Sequence, residues 1–342
     1  MNKKILVIYT GGTIGMVKDE ISGTLKPFDF EDIYAHVPTL KFLKHQIDFY
    51  TFPVLIDSSN VDIKFWIELA ECIEKFYEEY HGFVVLHGSD TMSYTASALS
   101  FMLKNLNKPV VLTGSQLPLG VIRTDGRRNI INAIEIAAAY INETAVIPEL
   151  CICFENKIYR GNRTFKNNAS HFEAFLSPNY PTLAEIGIEI KYNTDAILKP
   201  NHEKLSVVKT LDNNIAVLKL FPGIHPNMIR SVVETPGLKA IVMETYGSGN
   251  APTDELFIKE LVHAIEKNIL IVNVTQCKKG SVQMEKYETG KKLQEIGVIG
   301  GFDITTESAV SKLMYLFGIE KDTLKISTLF QTPIRGEMTI DM

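Results

Sequence analysis

The chain has 342 residues and a formal net charge of -5; 45% of its residues are hydrophobic and 22% charged. This is the composition of a globular protein with a sizeable core, and the acidic balance argues against a nucleic-acid partner. No apolar run approaches the roughly 18 residues of a membrane span, and Ile5–Tyr9 falls short of the roughly 7–15 residues of a signal-peptide core, so no membrane partner is expected either.

Single cores stop growing at about 250–300 residues, so the length predicts two domains or one large one. In chain order, Ile5–Tyr9 reads as a strand and Val61–Tyr80 as a helix, with Trp66, Leu69, Ala70, Ile73 and Tyr77 at helical spacing. Gly82–Leu86 is a strand, Thr91–Lys104 a helix, Pro109–Thr113 a strand, Arg127–Ile141 a helix and Leu150–Phe154 a strand. This alternation predicts a mostly parallel sheet with helices on both faces. The polar, proline-containing stretch Lys191–Lys204 has no period and reads as a linker. Alternation then resumes with strands at Ala216–Leu220, Ala240–Met243 and Ile269–Val274, and helices at His225–Val233, Asp254–Lys267 and Thr306–Phe317. The fold class is therefore α/β. A larger N-terminal domain at 1–190 has a mostly parallel sheet flanked by helices, a linker covers 191–212, and a smaller C-terminal α/β domain covers 213–342. Cys72, Cys151, Cys153 and Cys277 show no metal-type spacing and read as reduced core thiols, which fits a cytoplasmic location.

Open α/β sheets bind ligands beyond the carboxyl ends of their strands. Here those ends deliver Thr10-Gly11-Gly12-Thr13-Ile14-Gly15, then Asp57-Ser58-Ser59-Asn60, His87-Gly88-Ser89-Asp90-Thr91 and Gly114-Ser115-Gln116. If the four strands are neighbours, hydroxyls, acids and glycines share one polar pocket. A dinucleotide fingerprint is disfavoured, because the first glycine of G-x-G-x-x-G is missing. A hydroxyl nucleophile fits better. Glycines bring backbone N–H groups close to a substrate, and a threonine hydroxyl is held at low entropic cost because its χ1 is stiff. Such a hydroxyl needs a base, and a desolvated lysine would serve. The competing reading is that Thr13, Ser89 and Asp90 merely cap helices. His87, at the end of a buried strand, reads as a hydrogen-bonded structural histidine, and Arg123 with Asp125 as a structural ion pair or subunit contact.

The chain resembles the L-asparaginase family, above all its cytoplasmic bacterial type I members. The motifs that carry the resemblance are YTGGTIGM (Tyr9–Met16), DSS (Asp57–Ser59), HGSDTMSYTASALSFML (His87–Leu103), TGSQLPL (Thr113–Leu119), YRGNRTFK (Tyr159–Lys166), YGSGNAP (Tyr246–Pro252) and NVTQC (Asn273–Cys277). They span nearly the whole chain in the family's order. The resemblance implies a hydrolase that converts L-asparagine and water to L-aspartate and ammonia, without metal or organic cofactor. It implies Thr13 as nucleophile and Ser89, Asp90 and Lys166 as a second catalytic group. Gly12, Asp57, Ser58, Ser59, Gly88 and Ser115 would bind substrate. Asn250 would reach the site of a neighbouring subunit, in a homo-oligomer that is a dimer or a dimer of dimers.

Two departures bear on this. The family usually has threonine where Ser89 stands. It also usually has a tyrosine in the loop after the nucleophile, yet none lies between Ile14 and Asp32. Another hydroxyl, a water or Glu20 is left to activate Thr13, and Val17–Thr24 reads as a lid. The bulky Phe165 before Lys166 speaks against a regulatory asparagine site. Two rival readings remain. One is a catalytically impaired asparagine-binding sensor. The other is the ammonia-releasing subunit of a tRNA-dependent amidotransferase, which carries an extra N-terminal domain, whereas this chain reaches its first strand at residue 5.

Overall fold

A computed structural model describes residues 2–18, 25–27, 33–201 and 203–340. The chain divides into two compact units, Met1–Lys209 and Thr210–Met342. In the first, β1 (Lys4–Gly11), β2 (Gln46–Ile56), β3 (Gly82–Leu86), β4 (Val110–Thr113), β5 (Leu150–Phe154), β6 (Lys157–Arg160), β7 (Ala184–Ile186) and β8 (Ile190–Tyr192) form one sheet. Its order is β8-β7-β6-β5-β4-β3-β1-β2. The strands from β2 to β5 pair in parallel, and β6 to β8 continue antiparallel at the far edge.

Every residue of β3, β4 and β5 is buried, which is why these strands read as unbroken apolar runs rather than as alternation. On one face, Ile5, Val7 and Tyr9 of β1, Val84 and Leu86 of β3 and Val111 of β4 share a core with Ile130, Ala133, Ile134 and Ala137 of the helix Gly126–Ala137. The helix Ile63–Phe76 starts at Asp62, whose carboxylate accepts from the Phe65 N–H at 2.9 Å, and it buries Phe65, Trp66, Leu69, Ala70 and Ile73.

The expected linker behaves differently. Ile190–Tyr192 is a sheet strand, and Ser206–Val207 pairs with Leu103–Lys104. Between them, the buried Arg160 donates to the Ala196 carbonyl at 2.7 Å, and the buried Glu149 accepts from the Leu198 N–H at 2.8 Å. Most of 191–212 thus belongs to the first unit. Its backbone is irregular because distant side chains satisfy it, and a stretch without period looks like a linker from sequence alone.

In the second unit, Ile215–Lys219, Ala240–Thr245, Leu270–Thr275 and Ile299–Gly300 form a four-stranded, all-parallel sheet. Its core includes Leu218, Ile229, Val233, Ile241, Met243, Phe257, Leu261 and Ile271. Here Lys312, in the helix Thr306–Ile319, is fully buried and paired with the buried Glu337. Its ammonium also donates to the carbonyls of Phe330 and Thr332, each at 2.7 Å, so its hydrogen-bonding capacity is met. Burial pushes this amine's pKa down, and the Glu337 carboxylate partly restores it. Among the described residues no helix is long and apolar enough to cross a membrane.

Candidate active site

The strands that carry the four motif loops are neighbours, in the order β4-β3-β1-β2. Beyond Tyr9 the β1–β2 register shifts, so that Gly11 pairs with Ile56 and the Asp57 loop is brought beside the glycine loop. The glycines there serve close approach, not mobility. A Cβ on Gly12 would lie 2.5 Å from the Gly88 nitrogen, and one on Gly88 would lie 2.5 Å from the Ser58 Oγ. One on Gly114 would lie 2.4 Å from the His87 carbonyl oxygen. Gly12 also has φ +83°, a backbone conformation that side chains resist. Thr13 opens a single 3₁₀ turn, Thr13–Gly15. The turn is pinned by the buried Tyr9, whose phenol donates to the Gly15 carbonyl at 3.1 Å. The threonine therefore sits on a fixed support, half-buried, and among the described residues its hydroxyl has no hydrogen-bond partner.

The capping alternative does not describe these side chains. Gly12 and Thr91 occupy the N-cap positions of the turn Thr13–Gly15 and of the helix Met92–Met102, and neither supplies a side-chain cap. The Thr91 hydroxyl instead donates to the Ser58 carbonyl at 2.6 Å, tying the β3 loop to the β2 loop. Ser89 and Asp90 meet Lys166, whose ammonium donates to the Ser89 Oγ at 2.9 Å and to the Asp90 Oδ1 at 2.6 Å. The Lys166 side chain is 19% exposed and that of Asp90 64%, so the lysine is largely enclosed and its counter-ion faces the open side. The Ser89 hydroxyl lies 3.3 Å from the Gln116 Oε1. In the β2 loop, the Asp57 carboxylate accepts from the Ser59 N–H at 2.9 Å and from the Ser59 hydroxyl at 2.8 Å, which holds its pKa below the usual carboxylate value. Ser115 is buried, and its hydroxyl has no partner among the described residues.

His87 is buried. Its Nδ1 is 2.6 Å from the Gly88 carbonyl, which can only accept, so Nδ1 carries the proton. Nε2 then accepts from the Thr95 hydroxyl at 3.0 Å, which in turn accepts from the Trp66 indole N–H at 3.0 Å. Burial holds the His87 pKa down at about 4. The histidine is thus neutral and structural, and it fixes the carbonyl that precedes Ser89.

A neutral buried histidine has a sign for acid stability. The unfolded chain takes up a proton near pH 6.5, and the folded chain resists until about pH 4. Its contribution is therefore complete above about pH 6.5 and is lost as pH falls toward 4, at about 1.4 kcal/mol per pH unit. Urea unfolding at pH 7 and pH 5 is expected to show the wild type losing about 2 kcal/mol more than His87→Asn. Equal losses would remove His87 from the acid limb.

Asp125 differs from the expected ion pair with Arg123. Its buried carboxylate accepts from the backbone N–H groups of Gln116 at 3.0 Å and Leu117 at 3.1 Å, and from the Asn129 amide at 3.2 Å. The Asn129 amide also donates to the Gly114 carbonyl at 2.9 Å. Asp125 stands nine positions after Gln116 in the sequence, and no local pattern signals the contact. Gln116 was visible in the Gly114-Ser115-Gln116 loop, but its side-chain partners were not.

A family model described as "Asparaginase, N-terminal" matches residues 4–198, and one described as "Glutaminase/Asparaginase C-terminal domain" matches residues 214–330. The chain belongs to the asparaginase family. L-asparaginase 1 of Escherichia coli strain K12 is 43% identical over 345 residues, spanning 99% of each chain. The 60 kDa lysophospholipase of Mus musculus is 40% identical over 362 residues, which cover 99% of this chain and 63% of that one. The crystal structure of L-asparaginase I from Vibrio cholerae superposes with a TM-score of 0.89 at 38% identity, covering 99% of this chain and all of that one.

Asn250 lies in the second unit, in a turn bridged by Tyr246 and Asn250, and its side-chain oxygen accepts from the Thr289 hydroxyl at 2.7 Å. The buried Asn273 steadies that turn by donating to the Gly249 carbonyl at 3.0 Å. Phe165 is buried beside Lys166 in the short strand Phe165–Lys166. Cys72, Cys151 and Cys153 are core thiols, but Cys277 is exposed, because it stands past the end of Leu270–Thr275 in a loop. Of the expected lid Val17–Thr24, Met16–Lys18 pairs with Leu25–Pro27; residues 19–24, Glu20 among them, lie outside the described residues.

Proposed function

We propose that this chain hydrolyses the side-chain amide of L-asparagine to L-aspartate and ammonia. The Thr13 hydroxyl attacks the amide carbon, and ammonia leaves with the hydroxyl's proton. Water then cleaves the resulting ester, giving the carboxylate and restoring the threonine. The Ser89–Asp90–Lys166 group supplies a proton path and positive charge beside the reacting carbon. Ser58 and Ser59 receive the α-carboxylate, and Asp90 the α-ammonium. Gly12 and Gly88 let backbone N–H groups approach the substrate.

The observation that carries this reading is the largely enclosed Lys166, bridging Ser89 and Asp90 just past the carboxyl end of β3, whose parallel neighbours carry the other motif loops. The enzyme works in the cytoplasm as a homo-oligomer, in which Asn250 completes a neighbouring chain's site. A fully active monomer in sedimentation would remove Asn250 from that role. Ammonia release from L-asparagine, with L-glutamine alongside, tests the activity. Tight asparagine binding without ammonia would replace the hydrolase by a sensor.

A further inference from the structure

We infer that Gln116 is a positioning residue for the Ser89 hydroxyl, and that it supplies the directional constraint a serine lacks. The inference rests on the reading of Ser89, Asp90 and Lys166 as catalytic machinery. The amide of Gln116 has one orientation that satisfies both its neighbours. Its Nε2 is 3.0 Å from the His171 carbonyl, which can only accept, so the amide nitrogen points there and Oε1 faces Ser89. Oε1 has no proton to give. The Ser89 hydroxyl therefore donates to Gln116, and its lone pairs are left toward Lys166, whose ammonium donates to them at 2.9 Å. Proton directions are thus set along the whole chain, from Lys166 to Ser89 to Gln116 to the His171 carbonyl.

A serine hydroxyl has three χ1 wells and no β-methyl to choose among them, whereas a threonine's χ1 is stiff. Gln116 makes that choice from outside. Its contact with Ser89, at 3.3 Å, is long for an O–H···O bond, so it contributes direction more than energy. Catalytic contacts of this kind tighten once substrate is bound. Gln116 is itself held at both ends. Its backbone N–H is fixed by the buried Asp125 carboxylate. Its side chain bridges to the segment just after Lys166, where the Asn168 side chain accepts from the Ser170 and His171 N–H groups at 2.8 and 3.1 Å. One glutamine therefore couples the loop that bears Ser89 to the segment that bears Lys166.

Gln116→Met keeps the length and the unbranched shape and removes both hydrogen bonds. Its kcat for ammonia release from L-asparagine is expected to fall by roughly 10- to 100-fold, with KM changed by less than about threefold and the thermal midpoint within about 3 °C. Adding Ser89→Thr to Gln116→Met is expected to recover at least about fivefold of the lost kcat, because the β-methyl then selects the rotamer. A kcat within twofold of wild type overturns the inference, as does a raised KM with unchanged kcat, or a double variant as slow as Gln116→Met alone. If the methionine chain does not fold, Gln116→Leu carries the same comparison. The wild type is assayed in parallel. If it releases no ammonia, the hydrolase reading falls and this inference with it. An active wild type matched by an equally active Gln116→Met counts against Gln116 alone.

Discussion

Thr13→Ala is expected to lower ammonia release from L-asparagine by at least about 10⁴-fold, while asparagine still binds and the fold is unchanged. The size of the loss follows from the role: without the hydroxyl no ester can form, and what remains is the binding and electrostatic contribution of the other groups. Stability is insensitive for a separate reason. The hydroxyl has no partner among the described residues, so its removal leaves no group unpaired there. The turn is held by Tyr9 and by the packing of Gly12 on Gly88, not by the threonine. A change of stability within about 1 kcal/mol is expected. Calorimetric binding of asparagine, run beside the ammonia assay, separates a chemical defect from a lost pocket. A variant that still turns over at the wild-type rate would reassign the nucleophile.

Lys166→Met is expected to cost about 10²- to 10⁴-fold in kcat, the range of a lost acid–base group, with little effect on stability. The Lys166–Asp90 pair has a mostly exposed carboxylate, and pairs open to water on one side contribute only about 0–1 kcal/mol. Methionine retains the stem that packs inside. Lys312 offers the contrast within the same chain. That ammonium is fully buried against Glu337 and two carbonyls, so its replacement is expected to unfold rather than to inactivate. Thermal midpoints and kcat measured together decide the matter for Lys166. A fall in stability that parallels the loss of rate would make it a structural residue instead.

The course of the strands was legible in the sequence. Gly82–Leu86 and Leu150–Phe154 are covered on both faces and so must be apolar throughout. The motif loops were legible as well, because strand ends in a parallel sheet bring their loops to one edge. The capping alternative for Thr13, Ser89 and Asp90 was equally consistent with the sequence. Local pattern alone does not say whether a hydroxyl turns back on its own helix or outward to a lysine about seventy-seven residues away, the separation of Ser89 and Lys166.

The linker shows the same limit from the other side. Residues 196–198 have no period of their own, and partners distant in sequence, Arg160, Glu149 and Tyr180, tie them to the first unit. What the sequence by itself determined is what periodicity and composition encode: which segments are strands and helices, and which chemistry each strand end carries. What only the tertiary structure decided is direction. It decided that the His87 proton points to the Gly88 carbonyl, that Asp125 holds the Gln116 loop rather than Arg123, and that Gln116 faces Ser89. Each of these hydrogen bonds depends on donors and acceptors brought together in space, and a polar side chain does not announce its partner until folding has placed it.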